Sequence, residues 1–296
     1  MLTPWEFLSD LTNPMLAFLP KAVLVAVLSS VVAGVVGCHV VLRGMSFIGD
    51  AVSHSVFPGL AVAFLLQGSL IVGGLVAGLI TSLLVAVFSQ NRRLKEDSVI
   101  GIFFAAAFAL GIVIISRVPG YSGSLQQFLF GSIAGVTNSD LVVVGVATAV
   151  VIAVLIGFHK EFVAVSLDRE MAQASRLPVF LLDIVLYVLV TMSVVIAVQT
   201  IGNILVLALL VTPAATARLL TDRLWVMMLT APLLGAVSSF VGIYLSWSLD
   251  LPAGGAIVLV CSAIFLLVWF FAPKHGLVTK WLPQSNHDAV SQLESA

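Results

Sequence analysis

The chain has 296 residues, of which 60% are apolar and only 9% charged, with mean hydropathy +1.18 and formal net charge -1. Soluble domains average about 45–50% apolar and about 25% charged residues, so a soluble fold, a nucleic-acid binder and a disordered chain are excluded. The near-zero charge points to no strongly acidic or basic partner, and the apolar runs are continuous rather than alternating, which excludes an outer-membrane barrel. What remains is an all-α, polytopic integral membrane protein.

The opening MLTPWEFLSD carries Glu6 and Asp10 but no early Lys or Arg, unlike the basic start of a cleaved signal peptide. The first span is therefore expected to stay in the mature protein. Spans need roughly 20 apolar residues, and nine are predicted between the charges, with eight the alternative count. They cover 19–42, 47–67, 70–89, 98–116, 139–158, 178–198, 201–217, 225–247 and 253–272. In the third, Gly73, Gly74 and Gly78 predict close helix packing. In the seventh, Pro213 predicts a kink or break. The eighth is bracketed by Trp225 and Trp247, roughly 33 Å apart on a helix and suited to the two interfaces.

Between spans, 117–138 is rich in Gly and Ser with an apolar core, and is predicted to be an external loop with a short re-entrant or interfacial helix. Residues 159–177 form the longest cytoplasmic loop, with helical character from Asp168 to Arg176. The membrane domain is thus 1–280, and the polar tail 281–296 is expected to be disordered. Loops after the odd-numbered spans carry Arg43, Arg92, Arg93, Lys95, Lys160, Arg169, Arg176, Arg218, Arg223, Lys274 and Lys280, against Lys21 and Arg117 on the other side. Cytoplasmic loops hold the excess of Lys and Arg, so the N-terminus is predicted outside and the C-terminus in the cytoplasm.

Apart from Lys21 and Asp140 at span ends, four Asp, Glu, His, Lys or Arg side chains fall inside these spans: His39, Asp50, His54 and Asp183. A charge at the bilayer centre costs at least ~2.5 kcal/mol, so each is a functional candidate. Asp50 and His54, at i and i+4, share one helical face. Oxygen beside imidazole nitrogen suits Mn²⁺, Zn²⁺ or Fe²⁺, and a symmetric dimer with this face on its axis would supply four ligands. An interfacial pair that merely satisfies itself has the same spacing, so spacing leaves both readings open. His39 adjoins Cys38, yet neighbours point about 100° apart on a helix, which favours a hydrogen-bonded histidine over a ligand. Asp183, one turn into the sixth span, is expected to pair with a loop arginine. Asn203 is a further polar residue at the external start of the seventh. Cys38 and Cys261 form no CxxC pair, and the chain contains no GxxxxGK[ST], HExxH or GxSxG.

Several segments resemble the membrane permeases of manganese/zinc/iron-type ABC importers, the ABC-3 family. VVLRGMSFIGDAVSHSVFPGLA (40–61) is similar to the family's LRRM-LLGDALSHA-LPG stretch. EDSVIGIFF (96–104), LVLALLVTPAATARLL (205–220) and DLPAGGAIVL (250–259) follow in order, and VSLDREMAQASRLPV (165–179) resembles the stretch before the cytoplasmic coupling helix. One departure is Gly44, where the family usually has a second basic residue. The resemblance implies two permeases (a second copy of this chain or a homologous one), two cytoplasmic ABC ATPases and an external solute-binding protein, in a prokaryotic plasma membrane. It implies Asp50 and His54 as metal-pathway ligands at the dimer axis, and an ATPase-coupling loop at 161–177 containing Asp168, Arg169, Glu170, Ala172 and Arg176. The cargo would be a divalent metal ion, Mn²⁺ ahead of Zn²⁺ and then Fe²⁺, with no permanently bound cofactor and no enzymatic activity in this chain. A protonated imidazole cannot coordinate, so uptake through His54 would fall with acidification. Asp50 lies near the cytoplasmic end of its span unless 43–49 are unwound inside the protein, as in broken transporter helices; that deeper placement is expected. The alternative is a gradient-driven carrier with Asp50, His54 and Asp183 as a proton relay.

Overall fold

A computed structural model describes residues 3–45, 47–90, 96–116, 135–201 and 203–272, and among them every regular element is helical. In chain order these are α1 (Pro4–Leu11), a 3₁₀ turn (Pro14–Leu16), α2 (Phe18–Leu42), α3 (Ile48–Leu65), α4 (Leu70–Phe88), α5 (Glu96–Ile115), α6 (Asn138–Gly157), α7 (His159–Leu167), α8 (Arg169–Ala174), α9 (Val179–Ile201), α10 (Asn203–Leu220), α11 (Leu224–Leu249) and α12 (Ala253–Phe271). Each predicted span falls on one helix, with ends displaced by no more than three residues. Among the described residues seven of these helices are long and apolar enough to cross a bilayer, and Val72–Phe88 and Ala208–Leu220 are shorter apolar stretches.

Three local expectations change. Pro213 does not break α10, which runs through it. A proline forfeits one backbone hydrogen bond, and neighbouring helices can keep the helix continuous across the gap. Helix in the 159–177 loop begins earlier than Asp168, because His159–Leu167 is already helical. Asp168 is the break: it is extended and caps α8 by accepting from the Glu170 and Met171 amides. Arg176 lies beyond the helix in the left-handed region, φ 60. The amphipathic opening forms α1, started by a reciprocal Thr3–Glu6 capping box and tied down by Phe7, which is buried against Phe240 and Tyr244. Residues 117–134 of the segment expected to be re-entrant, and the whole polar tail, lie outside the described residues.

The bundle is built around α2. It packs against α11, α10, α6 and α9, and its face from Val32 to Val40 is buried. On one side α10, α11 and α12 pack together; on the other α3, α4 and α5 do, with α9 bridging to α4, α3 and α2. Lipid is as apolar as leucine, so helices here gain from close contact and buried hydrogen bonds rather than from leaving water. Ser30 accordingly bonds Ser239 across α2 and α11, and Ser82 bonds Thr191 across α4 and α9.

Backbone meets backbone where α3 crosses α4. A Cβ on Gly59 would collide with the Gly73 carbonyl and one on Gly73 with the Gly59 carbonyl, while Gly74 faces Val56 and Gly78 faces Thr191. Backbone on both sides leaves nothing that can yield. Replacing Gly59 by leucine should therefore destabilise the permease by about 1–3 kcal/mol or more, read as a lower melting temperature of the purified protein. An unchanged melting temperature would mean that α3 and α4 do not cross here.

Candidate functional site

The turn between α2 and α3 sets the site. Arg43 closes α2, Gly44 follows at φ +70, and α3 starts at Ile48. A left-handed residue is where glycine is favoured, which accounts for Gly44 where the resemblance leads one to expect a basic side chain. The turn is drawn inward at Met45, 1% exposed, while Gly44 and Phe47 face outward.

Asp50 lies in the first turn of α3, where unpaired amides and the positive end of the helix dipole favour a carboxylate. His54 follows one turn later, and its Nε2 stands 3.4 Å from Asp50 Oδ1. That is beyond an ordinary N–H···O hydrogen bond. Two ligand atoms bound to one ion at about 2.0–2.2 Å sit about 2.8–3.6 Å apart between octahedral and tetrahedral angles, so this spacing accommodates a shared cation. The two side chains keep 36% and 23% of their surface exposed respectively, and both can be reached from outside the single chain.

The imidazole is held by α5. Phe104 and Phe108 meet it edge-on at 5.1 and 4.9 Å, and their own rings stack 6.2 Å apart. They form an apolar wall against one side of the His54 ring. The i, i+4 pair of phenylalanines in FFAAAF is the sequence signal for this wall. Among the described residues no group of three or more His, Cys, Asp or Glu side chains could hold a metal, and Asp50 and His54 together offer two donor groups.

The other candidates lie elsewhere. The hydrogen bond expected of His39 is not made among the described residues: the side chain is fully buried, its ring 5.5 Å from Phe162, and neither nitrogen has a partner there. It does not converge with Cys38, whose thiol points to the Gly34 and Met227 carbonyls at 3.2 and 3.5 Å. Asp183 is 2% exposed and sits between two arginines: Oδ1 accepts from Arg43 Nη1 at 2.8 Å and Oδ2 from Arg169 Nη2. The loop arginine is Arg169, and Arg43 from the end of α2 is a second partner that the sequence reading did not assign. Asn203 opens α10, and its side chain lies outside the described residues.

In the 161–177 segment, Asp168 starts α8, Ala172 is buried at 3%, and Glu170 lies in the first turn. Leu167 and Met171 are 82% and 68% exposed on this same segment. Large apolar side chains presented by a charged loop are suited to a protein partner.

Comparison with known proteins gives a consistent picture. Residues 15–272 match the ABC 3 transport family. The manganese transport system membrane protein MntC of Halalkalibacterium halodurans is 42% identical over 266 residues, covering 90% of this chain and 91% of that one. The chelated iron transport system membrane protein YfeC of Yersinia pestis is 38% identical over 261 residues, 88% of each. Among solved structures, PsaBC from Streptococcus pneumoniae in complex with Fab superposes with TM-score 0.83 at 36% identity, covering 95% of this chain and 99% of that one.

Proposed function

The chain belongs to the ABC 3 transport family, a multi-pass membrane permease of the bacterial plasma membrane, and from that premise we propose that it carries a divalent transition metal ion through Asp50 and His54. The observation that carries this reading is the 3.4 Å spacing of a carboxylate oxygen and an imidazole nitrogen on one partly exposed face of α3. Two ligands leave a transition metal's shell incomplete. A second permease with the same face on its axis, either this chain or a homologue, supplies the other two.

The cargo we favour is Mn²⁺, with Zn²⁺ next and Fe²⁺ after it. The donor set is oxygen and nitrogen without thiolate, and the relatives named above transport manganese and chelated iron. With the positive loops inside, an external solute-binding protein delivers the ion to the outer mouth. ATP is used by separate ABC ATPases that dock on 161–177 through Leu167 and Met171. Asp50 and His54 replace part of the ion's water only transiently, since tight ligation would slow its release.

The experiment is reconstitution in liposomes with the ATPase and binding protein, following ⁵⁴Mn²⁺ entry. Uptake should require ATP and the ATPase. Uptake by the permease alone under a proton or sodium gradient would instead support a secondary carrier.

A further inference from the structure

We propose that Arg43, Asp183 and Arg169 form a clasp that transmits movement of the ATPase-docking segment to the metal-holding helix, making Asp183 a positioning residue for transport. This inference rests on the transport reading above and assigns the element that links its two ends.

The carboxylate of Asp183 bridges two guanidinium groups from different parts of the chain. Arg169 is the first residue of α8, so its hold on Asp183 fixes the docking segment to the start of α9. Arg43 is the last residue before the turn into α3, and Asp50 follows seven residues later. Arg43 also reaches α7: its Nε donates to Ser166 Oγ at 3.3 Å, and its guanidinium carbon lies 5.9 Å over the Phe162 ring. From α9, Tyr187 donates to Met45 Sδ at 3.6 Å, holding the far side of the same turn. Both short helices of the docking segment thus grip the hinge from which α3 emerges.

Neutralising a buried aspartate needs one arginine, and the second comes from the docking segment. The side chains of Arg43 and Asp183 are only 7% and 3% exposed, so their attraction is little screened and depends steeply on geometry. Movement of α7 and α8 by the motor subunit pulls on Arg43, and hence on the first turn of α3 where Asp50 lies. Packed elements of this kind move between discrete arrangements rather than deforming continuously.

The test uses the assembled importer in liposomes, measuring ATP hydrolysis and Mn²⁺ entry together. Arg169→Gln cuts only the docking-side arm, and with its side chain one-third exposed (33%) the fold should tolerate the change. Mn²⁺ moved per ATP should fall at least about five-fold, the low end of a typical coupling between sites, while hydrolysis continues. Arg169→Lys should restore most of the ratio, because an ammonium can still meet one carboxylate oxygen. Ser166→Ala, which severs the arm to α7, should lower the same ratio to a smaller extent, and it decides the matter if the Arg169→Gln complex does not assemble. A merely structural role would lower hydrolysis and transport in proportion. An unchanged Mn²⁺-to-ATP ratio in these variants overturns the clasp. Failure of the wild-type importer to move Mn²⁺ with ATP would overturn the transport reading itself, and the wild-type arm shows it separately.

Discussion

Cells producing the whole importer with Asp50→Ala and His54→Ala together in this chain should lose at least nine-tenths of importer-dependent manganese, about ten-fold or more, with the permease still in the membrane. Even outer partners of metal ligands cost about 10–100-fold in affinity or activity when removed, and this variant removes the proposed ligands themselves. Two copies in a dimer would lose all four donors at once. Neither change should unfold the chain, because both side chains are partly exposed and their mutual contact of 3.4 Å is longer than an N–H···O hydrogen bond. Elemental mass spectrometry, normalised to permease abundance, reads the result. Wild-type accumulation in the double variant would make the pair a structural feature of the α3 start.

Asp183→Ala should act in the opposite way, through the fold. It leaves the guanidinium of Arg43 buried, its side chain 7% exposed, without the carboxylate that it bonds at 2.8 Å. Removing one partner of a buried pair costs about 3–5 kcal/mol, which for a chain of this size lowers the melting temperature by roughly 10 °C or more. Arg169 can turn its exposed arm towards water, so Arg43, which loses its carboxylate partner while buried, carries most of this loss. Thermal unfolding of the purified permease, followed by size exclusion, checks it. A shift of only a degree or two would show that water or another group already meets Arg43.

Much of the architecture is legible in the sequence because long apolar runs bounded by charges can do little else than span a bilayer. The nine predicted runs fall on helices, and Gly73, Gly74 and Gly78 do mark close packing. Short elements are harder. His159–Leu167 has a mixed composition without a strong apolar face, and its helix is settled by burial of Phe162 and Val165 against the bundle. Pro213 carries a strong local signal that surrounding helices override. At the candidate site, spacing brings Asp50 and His54 to one face but says nothing of α5, so Phe104 and Phe108 are visible only once the helices are packed. Arg43 and Arg169 reach one carboxylate from positions 126 residues apart, a distance that no local pattern encodes. A histidine beside a cysteine suggests a ligand pair, yet the helix turns Cys38 towards Met227 and His39 towards Phe162.

The central claim is that a metal ion rests between Asp50 and His54. Anomalous diffraction at the manganese edge, from crystals of the assembled importer soaked in Mn²⁺, tests it most directly. The expected result is a peak within about 2.0–2.4 Å of Asp50 Oδ1 and His54 Nε2, lost in the double alanine variant and displaced by Zn²⁺ in competition. An ordered manganese peak elsewhere in the membrane domain, with none at this pair, would contradict it.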